Sequence, residues 1–63
     1  MDKLLLTPEE AAEVLSIGRS KVYELIGHGH LASVRIDRSR RIPRHVVVEF
    51  VARLEDQHVQ HDG

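Results

Sequence analysis

Three stretches of the chain repeat their apolar residues with helical period, and one stretch before the third alternates with the period of a strand. The first helical stretch follows Leu4-Leu5-Leu6 and opens on Thr7-Pro8-Glu9-Glu10. That is a hydroxyl cap, a proline at the first helical position and a glutamate three residues past the cap. It predicts a helix over Pro8–Leu15, with Leu6 outside the cap and placed to staple against Ala11. In the second stretch Val22, Leu25 and Ile26 fall at i, i+3 and i+4, one buried stripe of a helix. This helix is expected to start near Gly18 or Arg19 and to end before Gly27 and Gly29, which act as breakers. The third follows Pro43, over about Arg44–Gln57, where Val46, Val47, Phe50, Val51 and Leu54 line one side. Phe50, the one phenylalanine in the chain, is expected at the centre of the core.

Between Leu31 and Ile42 the period drops to two. Ala32-Ser33-Val34-Arg35-Ile36 alternates, Asp37-Arg38-Ser39 supplies turn residues, and Arg40-Arg41-Ile42 resumes an extended run. This predicts a two-stranded hairpin with Val34, Ile36 and Ile42 inward and the arginines outward. Such a hairpin is not stable alone and must pack on the helices.

The short turn Ser16-Ile17-Gly18 joins two helices, with small Ala12 where they cross. That is the layout of a helix-turn-helix, whose second helix enters the DNA major groove and reads bases with its first residues. Ile17, Val22 and Leu25 hold this helix inward, leaving Gly18, Arg19, Ser20, Lys21 and Tyr23 facing a partner. Tyr23 has two readings of equal weight: stacking or hydrogen bonding at a phosphate, or half burial against the hairpin. The expected architecture is mainly α, a winged helix-turn-helix of three helices and a two-stranded wing. Residues 1–57 form one domain, and 58–63, which lack periodicity, a disordered tail.

A formal net charge of −1 argues at first against nucleic acid. The distribution reverses that. Residues 1–17 and 45–63 each carry a net −3, whereas 18–44 carry +5, from Arg19, Lys21, Arg35, Arg38, Arg40, Arg41 and Arg44 against Glu24 and Asp37. A basic middle between acidic ends is an electrostatic footprint, and position matters more than the total. Arginine can fork onto phosphate or onto guanine O6/N7, so these residues are the candidate DNA contacts.

Other chemistry finds little support. Without cysteine there is no disulfide framework or thiolate zinc site. His28 and His30, and His58 and His61, lack a third ligand at metal spacing. His28, His30 and His45 are read either as solvated surface or as additional phosphate contacts. Ser16, Ser20, Ser33 and Ser39 have no partnered base, and no glycine-rich phosphate loop occurs. No enzyme activity, cofactor or metal is expected. No apolar run approaches the roughly 20 residues of a membrane span, so a soluble, cytoplasmic monomer is expected.

Taken together, Leu6-Thr7-Pro8-Glu9-Glu10-Ala11-Ala12, Arg19-Ser20-Lys21-Val22-Tyr23-Glu24-Leu25-Ile26 and Val34-Arg35-Ile36 to Arg41-Ile42-Pro43 carry a resemblance. Over Leu5 to Leu54 the chain resembles the excisionase-type DNA-binding family of phages and integrative elements, whose fold is a MerR-like winged helix-turn-helix. It departs from the family pattern at the turn, where Ser16 holds the usual glycine position and Gly18 the cap. The resemblance implies a recombination directionality factor that bends attachment-site DNA and assists an integrase, often with several copies head to tail. A small transcriptional regulator of a phage or mobile element is the alternative within the fold. A protein-interaction module docking an acidic partner on its basic face is the alternative outside DNA binding. A chain that stops soon after the third helix is not expected to sense an effector as longer MerR-type regulators do.

Overall fold

The computed structural model describes residues 3–58. In chain order it runs β1 (Leu5–Leu6), α1 (Pro8–Leu15), α2 (Arg19–Gly27), β2 (Val34–Ile36), β3 (Ser39–Pro43) and α3 (Arg44–His58). The cap that opens α1 is a reciprocal pair. Thr7 Oγ1 accepts from the Glu10 amide at 3.0 Å, and Glu10 Oε1 accepts from the Thr7 amide at 2.9 Å, so two otherwise orphaned donors are satisfied. Leu6 and Ala11, the staple residues, are both buried in the same cluster.

α2 includes Gly27 rather than ending before it. The terminator is Gly29, at φ +79°. Its amide bonds the Ile26 carbonyl at 3.1 Å and the His30 amide bonds that of Leu25 at 2.8 Å, the paired reverse bonds of a Schellman end. Gly27 needs no positive φ, and the helix runs through it. α3 likewise reaches His58. The rest of the expected tail, with His61, lies outside the described residues.

The sheet has three strands, not two, in the order β1-β3-β2, both pairs antiparallel. A two-residue strand has no readable period, and its partner stands far along the chain, so β1 escaped the sequence. Its register, Leu5 with Pro43 and Leu6 with Ile42, continues into a bond from the Arg44 amide to the Leu4 carbonyl at 2.8 Å. Pro43, which has no amide to offer, occupies the last position of its strand.

The wing register also differs from expectation. Ile36 pairs with Ser39 across Asp37-Arg38, so Ser39 belongs to β3 and the turn has two residues. Val34 then faces Arg41, and Arg35 faces Arg40. With a side-chain period of two, this puts Ile42 on the opposite face from Val34 and Ile36. Ile42 is fully buried, whereas Val34 and Ile36 are 42% and 51% exposed. Arginines therefore occupy both faces of the wing.

The core gathers Leu6, Ala11, Ala12, Val22, Leu31, Ile42 and Val47, drawing on β1, both helices of the turn, β3, α3 and the loop after α2. Its centre is Leu31, Ile42 and Val22. Phe50 is half-buried at the edge of this cluster rather than in its centre. Val47 takes the buried position on α3, and Phe50 lies alongside, walling a hollow with Leu25, His30 and Leu54.

Candidate nucleic-acid interface

The helix-turn-helix is held rigidly at its bend. Ser16 closes α1 in the left-handed region, at φ 58° and ψ 42°. Its amide bonds the Glu13 carbonyl at 3.2 Å and the Ile17 amide bonds that of Ala12 at 3.0 Å, again a Schellman end. A β-carbon in that conformation costs on the order of 1 kcal/mol relative to glycine. Ile17 turns in to pack against the core, and Gly18 follows as an extended cap with no side-chain bond to the helix behind it. Nothing lies within 4 Å of where a Gly18 Cβ would stand. No side chain caps the first turn of α2, at the positive end of the helix dipole, where the Lys21 amide bonds the Gly18 carbonyl at 3.1 Å.

On α2, Val22 is fully buried, while Leu25 and Ile26 are half-buried. Arg19, Ser20, Lys21 and Tyr23 all stand exposed on the outer face. Two of them have local carboxylate partners. Arg19 Nη1 lies 3.2 Å from Glu9 Oε2 on α1, and Lys21 Nζ lies 3.4 Å from Glu24 Oε1. These side chains are more than half exposed, and such pairs contribute about 0–1 kcal/mol. A phosphate or base edge can displace the carboxylate with little loss. Tyr23 is 46% exposed, so its ring is open on one side.

The wing divides its cations. Arg35 and Arg38 are exposed, Arg38 in the turn itself. Arg40 is half-buried and donates from Nη1 to Ser33 Oγ at 2.6 Å, and Arg41 donates to the Arg40 carbonyl at 3.0 Å. Arg44, half-buried, stands at the start of α3. Asp37, the first turn residue, holds φ 59°, a conformation that aspartate tolerates better than most residues. Arg53, which the sequence reading did not single out, donates to the His30 carbonyl at 3.0 Å and ties α3 to the loop after α2. No spacing signal marks a contact to a backbone carbonyl from so far along the chain.

His28 and His30 meet edge to face, ring centroids 6.2 Å apart. No three histidine, cysteine or carboxylate side chains among the described residues are grouped to hold a metal. Among those residues, no helix is long and apolar enough to cross a membrane.

An exposed cationic helix after a locked turn, beside an arginine-bearing hairpin on a common core, defines a winged helix-turn-helix. The helix-turn-helix domain family matches residues 5–55. The chain is 51% identical over 53 residues to a protein of Saccharopolyspora erythraea named probable excisionase, across 84% of this chain and 54% of that protein. It is 49% identical over 47 residues to an excisionase of Streptomyces ambofaciens, across 75% of this chain and 76% of the relative. The chain thus spans about half the length of the first relative and about three quarters of the second. No solved structure matches. The chain belongs to the excisionase-type helix-turn-helix family.

Proposed function

We propose that the chain binds double-stranded DNA as a recombination directionality factor, bending attachment-site DNA and assisting an integrase. One observation carries the reading. Arg19, Ser20 and Lys21 stand exposed in the first turn of a helix whose other face is buried, where recognition helices place their base-reading side chains. The names of the two relatives supply the recombination role. Arg19 and Lys21 are assigned to base edges or phosphates, Ser20 and the open Gly18 backbone to phosphate, and Tyr23 to stacking or a phosphate bond. Arg35 and Arg38, with Arg44, are assigned to the flanking backbone or minor groove. Arg40 and Arg41 join them once their bonds within the wing give way. A module of this size gains affinity from further copies along the DNA or from the integrase.

The test is a fluorescence-anisotropy titration against duplex DNA over a range of salt. With about five of the cations on phosphate, log K is expected to fall with log salt at a slope of about −4 to −5. A flat response sinks the DNA reading and favours the protein-interaction module. An integrase-dependent excision assay then separates the two roles within the fold. Unchanged excision with altered transcription at the bound site marks a regulator.

A further inference from the structure

α1 and α3 leave an open groove on the molecule, about 330 Å³ in volume, lined by Val14, Leu15, Val47, Val48, Val51, Ala52 and Glu55. Apart from Glu55 every lining side chain is hydrocarbon. Val14 and Val48 are 47% and 56% exposed, so apolar surface that ordinarily closes a core remains in water. Isolated surface valines are unremarkable, but a continuous strip along two helices is the mark of a partner site. The groove is open and offers a single carboxylate, unlike small-molecule pockets, which enclose the ligand among several convergent polar groups.

Charge selects the occupant. Glu55 in the groove wall, with Glu49 and Asp56 on α3 and Glu13 on α1, has no ion-pair partner among the described residues. The two chain segments that build the groove each carry a net −3, and the cations of the middle segment stand on α2, on the wing and, as Arg44, at the first residue of α3. A second copy presenting the same groove would set Glu55 against Glu55, and like charges held together oppose such pairing.

We propose that this groove docks a basic amphipathic helix of another protein. Two or three apolar residues of the helix, at i, i+3 and i+4 or i+7, sit against Val14, Val48 and Val51, and a flanking lysine or arginine pairs with Glu55. This is helix-in-groove recognition, and it leaves the cationic face free. The site is independent of what the cationic face binds.

The experiment is a selection of displayed helical peptides against the full chain, with counter-selection against a Val48→Glu/Val51→Glu double variant. Both positions are exposed, and a thermal melt near that of the parent establishes that the double variant folds. The proposal expects groove-dependent peptides to carry net positive charge and apolar residues at helical spacing. Binding by the best peptide should weaken at least fivefold in Glu55→Lys, with DNA affinity unchanged. Enrichment of neutral or acidic peptides, or none that depends on the groove, overturns it. So does self-association of the chain that the double variant abolishes, which would assign the groove to a second copy.

Discussion

The helix pair and the wing both carry cations at the surface, but they are supported differently. α1 and α2 share a seam of Ala11, Ala12 and Val22, all buried, and the turn between them is locked by two backbone bonds from Ser16 and Ile17. The wing has no such seam. Ile42, at its root, is the one residue of its two strands in the core, and Val34 and Ile36 lie open to water. Under the proposed DNA binding, the difference fits two separate demands. Base reading needs side chains held in a fixed frame, whereas backbone contact tolerates a compliant arm.

The sharpest way to break this comparison is at the wing root. Ile42→Ala removes a fully buried side chain from the point where β1, β3 and the helices meet, and is expected to cost about 3–4 kcal/mol, enough to unfold much of so small a domain. Val34→Ala, eight residues earlier on the exposed face, is expected to cost about 0.5 kcal/mol or less. Phe50→Ala should fall between them, at about 1–3 kcal/mol, because its ring is half-buried and already borders a hollow. Chemical denaturation of the three variants checks the order. If Val34→Ala costs as much as Ile42→Ala, the hairpin register is wrong and the apolar residues of β2 do face inward.

The second contrast lies in binding. Arg19 stands on the rigid unit and Arg38 on the wing turn. Arg19→Ala is expected to lose about 1–3 kcal/mol on the preferred site and much less on scrambled DNA. Arg38→Ala should weaken both by similar factors and lower the salt slope by about one. Competition titrations with both duplexes decide the matter. Loss of sequence preference in Arg38→Ala, with preference intact in Arg19→Ala, reverses the assignment and points to a wing that reads minor-groove width.

What could be read from the sequence follows the same divide. α1 stands at Pro8–Leu15 as its cap pattern predicts, because Thr7, Pro8 and Glu10 settle their hydrogen bonds within one turn of chain. The helix-turn-helix, α3 and the exposed cations of α2 were legible for that reason. The wing register was not, because it depends on whether Ser39 closes the turn or opens the strand, and one residue of slip exchanges the faces of every side chain. β1 and the Arg53 contact to His30 were hidden for a different reason: each joins residues distant in sequence. Phe50 was misplaced because size alone suggested the centre, while the topology gave that place to Leu31, Ile42 and Val22.

A smaller effect distinguishes the two left-handed residues, one in each unit. Ser16 carries a strained backbone within a rigid frame, and Ser16→Gly relieves about 1–2 kcal/mol of it while adding about 0.5–1 kcal/mol of unfolded-state entropy. A net gain of about 0.5 kcal/mol is expected, seen as a rise in Tm of about 2–4 °C for a domain of this size. Asp37→Gly should gain less, because aspartate tolerates this region and the turn is free to adjust. An equal or larger gain at Asp37 would mean that the wing turn is the more rigid of the two.

The smallest effect concerns the cap that anchors the helix pair. Lys3, hydrogen-bonded to the Glu10 carboxylate, holds its pKa below the ordinary value of 4.5, and the bond from the Thr7 amide adds to this. A carboxyl whose pKa falls on folding stabilises the folded state while it is ionised, above its unfolded pKa. That contribution is lost as the pH drops below 4.5 and through the folded value. Glu10→Gln keeps a side-chain acceptor for the Thr7 amide, as in the glutamine form of the capping box, but removes the charge that Lys3 holds. The variant should therefore be slightly less stable than the parent at pH 7, and the gap should narrow at an acid pH well below 4.5. Denaturation of both proteins at the two pH values measures it. A gap that persists at low pH would assign the cap's stability to hydrogen-bond geometry alone, and the charge of Glu10 would then play no part in fixing where the recognition unit begins.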